Sequence, residues 1–150
     1  MMMMYKKVLV AVDLSDESEQ ILQTAVDIAA ANEAEINIIH VTDNPVTLYS
    51  QWSDYIVPYS EEKIREVLFE KLAKMVEDKG LSKSLITIDF GRAIDLIVDK
   101  AEKEECDLIV VGSHGRHGVK LLLGSTANGV LHHANCDVLA VRVREVIEQS

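Results

Sequence analysis

Cysteine and proline are scarce in this chain, with two of each in 150 residues. Two cysteines, Cys106 and Cys136, are too few for a disulfide framework, and their natural setting is a reducing interior. Positive charge is also short: 15 basic residues face 25 acidic ones, for a formal charge of −10. So negative a surface repels phosphate backbones and anionic lipid, which argues against nucleic acid or membrane as the main partner. No apolar run approaches the roughly 18 residues of a membrane span. The opening Met1–Met4, Tyr5, Lys6, Lys7 puts its positive charges after the methionines and leads straight into a strand-like run, unlike a signal peptide. A cytoplasmic protein is therefore expected. What is present is ordinary for a folded chain: 48% hydrophobic and 27% charged residues, which excludes wholesale disorder. A single domain over residues 1–150 is expected, burying about two-thirds of its unfolded surface.

Short β-branched runs alternate with helical periods. Val8–Val12 reads as a strand buried on both faces. Asp13, Ser15, Asp16 and Glu17 then supply caps and acids for a helix in which Ile21, Ala25, Ile28 and Ala29 share a face to about Ala31. Ile36–Val41 is a second strand. Residues 42–59 hold both prolines, Trp52 and three of the four tyrosines without a clear period, and a loop of that length inside a domain is usually functional. Ser60 opens a helix with Ile64, Val67, Leu68, Leu72, Met75 and Val76 as one stripe, and Gly80 stops it. Leu85–Ile88 is a third strand. Gly91 turns into a helix carrying Ile94, Ile97, Val98 and Ala101. Leu108–Val111 is the fourth strand, Ser125–His133 a short helix, and Val138–Val143 the fifth strand.

This alternation predicts an α/β fold: a doubly wound five-stranded parallel sheet of order 3-2-1-4-5 with helices on both faces. Ligands of such sheets bind beyond the carboxyl ends of the strands where the winding reverses. That rule selects the residues just after Val12 and just after Val111.

Five of the seven glycines lie between Gly112 and Gly129, directly after the fourth strand. Glycine lets backbone approach a ligand closely. Gly124-Ser125-Thr126 precedes a helix, whose unpaired N–H groups and positive dipole end suit a phosphate, and Arg116 and His117 could add charge. The plainer reading leaves the glycines as turn formers in a crossover, with Ser125 capping the next helix. Both stand open on the residues alone. No G-x-x-x-x-G-K-[ST] occurs, and the turn Asp13-Leu14-Ser15-Asp16 carries no glycine, which excludes a P-loop and a dinucleotide fingerprint.

The chain resembles the universal stress proteins of the UspA type over essentially its whole length. The resemblance rests on Lys7–Asp13, on Ile38-Ile39-His40-Val41 and on Asp107–Gly115. It is completed by Gly124-Ser125-Thr126 and by Cys136-Asp137-Val138-Leu139-Ala140-Val141. It implies an adenine nucleotide alpha hydrolase-like fold and a homodimer formed through the last strand, residues 137–143. One branch of that family binds ATP or AMP through G-x2-G-x9-G-[ST]. Gly112, Gly115, Gly124 and Ser125 keep that pattern, although residues 116–123 make a gap of eight rather than nine. The resemblance implies that Ala11, Val12 and Asp13 line adenine and ribose, with the Asp13 carboxylate near the sugar hydroxyls. Val41 and Val111 would sandwich the base. Gly112 and Gly115 would admit ribose and phosphates, with His114, Arg116 and His117 in the same loop, and Gly124, Ser125 and Thr126 would hold phosphate oxygens. Helix capping is the competing role for Asp13, and core packing for Val41 and Val111. Mg²⁺ is admitted as the companion of ATP. Where the family often has proline, Ala93 stands, a departure expected to affect only the start of its helix.

His132, His133 and Cys136 are close in sequence, but structural zinc wants four ligands in paired spacing, and no metal is assigned. Cys106 and Cys136 read as small buried hydrophobes, and His40, at the end of the second strand, points at the switch region or the core, with packing the favoured role. No nucleophile–base pair has diagnostic spacing, so no catalytic residue is assigned and slow ATP hydrolysis is the most that is expected. The expected function is a nucleotide-dependent sensor or regulator of an unidentified protein partner in stress response. Two alternatives remain at this stage: a dimeric interaction protein with an empty site, and an ATP pyrophosphatase-like enzyme, whose S-G-G-x-D-S loop the sequence lacks.

Overall fold

Strand alternation divides the first apolar run between two layers. In the computed structural model, which describes residues 3–42, 60–113 and 123–143, β1 (Lys7–Ala11) sends Val8 and Val10 into one hydrophobic cluster and Leu9 into another. The described elements continue as α1 (Ser18–Asn32), β2 (Glu35–Thr42), α2 (Glu61–Asp78), a 3₁₀ turn (Lys83–Leu85) and β3 (Ile86–Phe90). They end with α3 (Ala93–Lys103), β4 (Leu108–Gly112), α4 (Ser125–His133) and β5 (Asp137–Val141). The five strands form one sheet of order β3-β2-β1-β4-β5, every pairing parallel. This is the expected doubly wound order.

Helices α1 and α2 cover one face through Ile21, Leu22, Ala25, Leu72 and Val76, and α3 and α4 cover the other through Ile97, Ala101, Ala127 and Val130. Central strands must therefore be apolar on both faces. Val8, Leu9, Val10, Ile109 and Val110 are all fully buried.

Local chemistry sets both ends of α2 and the entry to α3. The Ser60 hydroxyl accepts the Lys63 N–H at 3.2 Å, and Glu61 and Glu62 occupy the first turn of α2, where the dipole favours acids. Gly80 (φ 77°) closes that helix as expected, the Leu81 N–H returning to the Val76 carbonyl. Gly91 (φ 144°) makes the turn into α3 with a backbone that side chains rarely adopt. At Gly129 the need is space, since a Cβ there would overlap the Ile94 side chain of α3 and force it to move.

Several boundaries differ from expectation by one or two residues. β3 starts and ends later than Leu85–Ile88 because the Ser82 hydroxyl accepts the Ser84 N–H and winds Lys83–Leu85 into the 3₁₀ turn. Asp89 and Phe90 then extend the strand by pairing with Val41 and Thr42. β5 begins at Asp137, paired with Leu108, and ends at Val141. The long segment expected at 42–59 lies outside the described residues apart from Thr42, which ends β2.

Candidate functional site

A parallel sheet leaves the carboxyl ends of its strands bordering a crevice where the connections from two adjacent strands diverge to opposite faces. Here β1 leads to α1 on one face and β4 leads on to α4 on the other. Between their ends lies a cleft of about 130 Å³, or about 620 Å³ when its mouth is counted to open solvent. Eight of the residues singled out from the sequence line it: Ala11, Val12, Asp13, Val41, Val111, Gly112, Gly124 and Thr126. Ser125 sits at the first position of α4, exposed and outside the lining. His114, Gly115, Arg116 and His117 lie outside the described residues.

Four lining residues had no such assignment: Ile21, Ala93, Ile97 and Ala127. Ile21 and Ile97 were read correctly as inward-facing helix residues, but periodicity specifies a face and cannot say that the face ends at a gap. Ala93 corrects a narrower expectation, since its influence is not confined to the helix start. It stands in the cleft wall, and the small side chain is part of the cleft's shape.

The rim on the β1 side is built by one carboxylate. Asp13 Oδ1 accepts hydrogen bonds from the Ser15 N–H at 3.0 Å, the Ser15 hydroxyl at 2.6 Å and the Ser18 hydroxyl at 3.1 Å. Asp13 thus organises the turn before α1 but does not cap the helix as its competing role expected: the N-cap is Glu17, which makes no side-chain cap bond. Between Asp13 and Ser15, Leu14 adopts φ 62°, a left-handed conformation uncommon for leucine. The turn accomplishes without glycine what such a turn usually uses glycine to do.

The opposite rim is the start of α4. Gly124 is its N-cap, with no side-chain cap bond, so Ser125 does not act as the cap. Gly124 donates its N–H to the Ser113 carbonyl at 2.6 Å, and the Ser113 N–H donates to the Val141 carbonyl at 2.8 Å. The helix start is thereby pinned to the end of β4 and, through it, to β5. The N–H groups of Ser125, Thr126 and Ala127 have no carbonyl one turn earlier in the helix, and the dipole adds positive potential there.

His40 is buried at the end of β2, its Nδ1 donating to the Val12 carbonyl at 2.7 Å. The packing role read from the sequence is correct, with a specific bond added to it. His132 and His133 are exposed, and His133 Nδ1 donates to the Gly129 carbonyl at 2.8 Å. Cys106 and Cys136 are brought together by the pairing of β4 with β5, and line one cavity of about 100 Å³ at the other end of the sheet. Cys106 is buried and Cys136 half-buried. Among the described residues no three His, Cys, Asp or Glu side chains gather as a metal site, and no helix is long and apolar enough to cross a membrane.

The cleft therefore combines an apolar floor, a carboxylate on one side and oriented backbone donors on the other. Comparison with known proteins agrees with that architecture. The model of the universal stress protein family matches residues 4–142. Universal stress protein A homolog 1 of Coxiella burnetii is 37% identical over 144 residues, covering 95% of this chain and all of the relative. Universal stress protein UspA from Lactobacillus plantarum superimposes with a TM-score of 0.66 at 27% identity, over 93% of this chain and 98% of that one. A universal stress protein crystallised in complex with cAMP superimposes with a TM-score of 0.63 at 25% identity, with the same coverage.

Proposed function

The chain belongs to the universal stress protein family, and from that premise we propose that its cleft binds an adenine nucleotide, ATP or AMP, with Mg²⁺ accompanying ATP. One observation carries the reading. A cleft at the β1/β4 switch point has an apolar floor, a carboxylate on one rim and the opening turn of a helix on the other. Adenine lies between Val41 and Val111, against Ala11 and Val12. The ribose hydroxyls face Asp13. The phosphates lie toward Gly112, Gly124, Ser125 and Thr126, with Gly115, His114, Arg116 and His117 contributed by the adjoining segment. The cAMP complex of a relative supports an adenine ring and an anion sharing one site in this family.

The test is thermal. With ATP, AMP or cAMP at roughly 100-fold excess over a micromolar dissociation constant, the folded state gains about 2.7 kcal/mol and the melting temperature rises. A melting temperature that ignores all three nucleotides, with and without Mg²⁺, defeats the assignment.

The protein acts in the cytoplasm as a sensor or regulator in stress response, one such domain over residues 1–150, with a protein partner still to be identified. No catalytic residue is assigned, and ATP hydrolysis beyond a slow background is not expected. A homodimer formed through residues 137–143 is part of this reading. Its support is β5, which among the described strands borders only β4 and leaves Leu139 exposed beside an open groove reached by Tyr5, Ile28 and Leu131. Unpaired strand edges with apolar neighbours are ready to pair with another chain. Sedimentation equilibrium at micromolar concentration should return the mass of two chains.

A further inference from the structure

Three polar side chains are buried among the described residues, those of Ser18, His40 and Ser113. Ser18 opens α1, His40 lies near the carboxyl end of β2 and Ser113 follows β4, and each residue holds a segment that borders the cleft. Ser18 binds the Asp13 carboxylate, and Ser113 binds the Gly124 N–H through its carbonyl. His40 binds the Val12 carbonyl. None of the three lines the cleft itself, and His40 alone binds a main-chain carbonyl of β1's end through its side chain.

The geometry points to His40 as a positioning residue for nucleotide binding, acting through the Val12–Asp13 peptide. This rests on the reading of the cleft given above. The argument begins with peptide planarity. The described chain has no cis peptide bond, so the Val12 C=O and the Asp13 N–H point in opposite directions. The Val12 N–H already donates to Ile39 of β2 at 3.0 Å. The His40 ring draws the Val12 carbonyl to the same side, toward β2. The Asp13 N–H is thereby aimed away from β2 and toward β4, across the gap where the winding reverses. The same bond sets the direction from which the chain enters Leu14, whose left-handed φ of 62° follows immediately. The Asp13 side chain is then caught by Ser15 and Ser18. A ring fixed on the far side of β1 thus determines how the cleft's rim faces its ligand. Hydrogen bonds of this supporting kind orient ligand-facing groups, and in metal sites their loss typically weakens binding by roughly 10–100-fold.

Two substitutions separate this from simple packing. His40→Asn retains an N–H donor close to the position of Nδ1, and His40→Leu retains bulk without a donor. Affinities for ATP, AMP and cAMP are measured by calorimetry on folded protein, with the melting temperature of each unliganded variant alongside. His40→Leu should weaken binding by roughly 10-fold or more, and His40→Asn should restore most of the loss even where its melting temperature stays below that of the wild type. If His40→Leu does not fold, His40→Gln replaces it, keeping polarity but carrying the donor one bond further out, and it should show the same weakening. Wild-type affinity in every folded variant would overturn the inference while leaving the nucleotide site intact. A wild-type protein that binds none of the three nucleotides would overturn the site assignment and this inference with it.

Discussion

The two ends of the sheet use the same device toward different ends. At the amino end, Asp107 accepts hydrogen bonds from the backbone N–H groups of Lys6, at 2.9 Å, and Lys7, at 3.0 Å. The Tyr5 hydroxyl donates to Asp137 at 2.9 Å. Asp107 and Asp137 lead into β4 and begin β5, so these bonds tie the chain's first residues across both strands. At the carboxyl end, Asp13 is likewise a carboxylate held by neighbouring donors, but it borders a cleft. A carboxylate in a ring of the protein's own donors closes a structure. The same carboxylate beside a gap, opposite a helix N-terminus, leaves that structure open to a ligand.

The sharpest way to break this contrast is Gly124→Val. The backbone there (φ −61°, ψ 155°) is extended and open to any residue, so valine adds a branched side chain to the cleft rim without backbone strain. Nucleotide binding should disappear, while the fold loses no more than about 1 kcal/mol because valine is a poor N-cap. Calorimetry paired with urea denaturation measures both, and retained affinity would remove Gly124 from the phosphate seat. Smaller in effect is the exchange of the two aspartates. Asp107→Ala orphans two backbone donors and should cost about 1–3 kcal/mol of stability, with the ATP-induced rise in melting temperature intact. Asp13→Asn keeps an acceptor for the Ser15 N–H but loses the charge. It should change stability by less than about 1 kcal/mol and lower affinity for ribonucleotides more than for their 2′,3′-dideoxy analogues. If both substitutions act on stability alone, the two ends do not differ in kind.

Much of this arrangement was legible from residue order. The alternation of β-branched runs with helical stripes predicted the sheet order, and the order in turn located the switch point. Of the eight cleft residues, Asp13, Gly112, Gly124 and Thr126 followed from that topological rule and the glycine pattern, and Ala11, Val12, Val41 and Val111 from the family resemblance. The remainder depends on three-dimensional facts that one-dimensional periodicity does not carry. Ile97 and Ala127 differ from core residues only in facing a gap. Ala93 turned out to be wall as well as helix start. Leu14 shows a left-handed turn where no glycine announced one. The pairing of Cys106 with Cys136 in one cavity depends on the β4–β5 register, which sets Leu108 opposite Asp137 and so brings the residues preceding the two strands together.

That cysteine pair yields the smallest effect, and it sharpens the contrast from the amino end. Burial pushes the Cys106 thiol up to about 11, with the neighbouring Cys136 and nearby carboxylates adding to the rise. Burial also raises Cys136. A cavity that disfavours charge keeps both thiols protonated and unreactive at neutral pH. In the unfolded chain a thiol loses its proton near its ordinary value of 9.0, whereas the native Cys106 keeps it until about 11. Between those limits the unfolded state binds fewer protons, so stability contributed by this group falls as pH rises, by at most about 1.4 kcal/mol per unit. Lysines and tyrosines titrate in the same range, and Cys106→Ala separates them. The stability advantage of the wild type over Cys106→Ala, measured by urea denaturation, should shrink between pH 9 and pH 11 and be unchanged below. An advantage that stays constant across that range would mean the cavity tolerates a thiolate, and the amino end would then be no more closed to charge than the cleft.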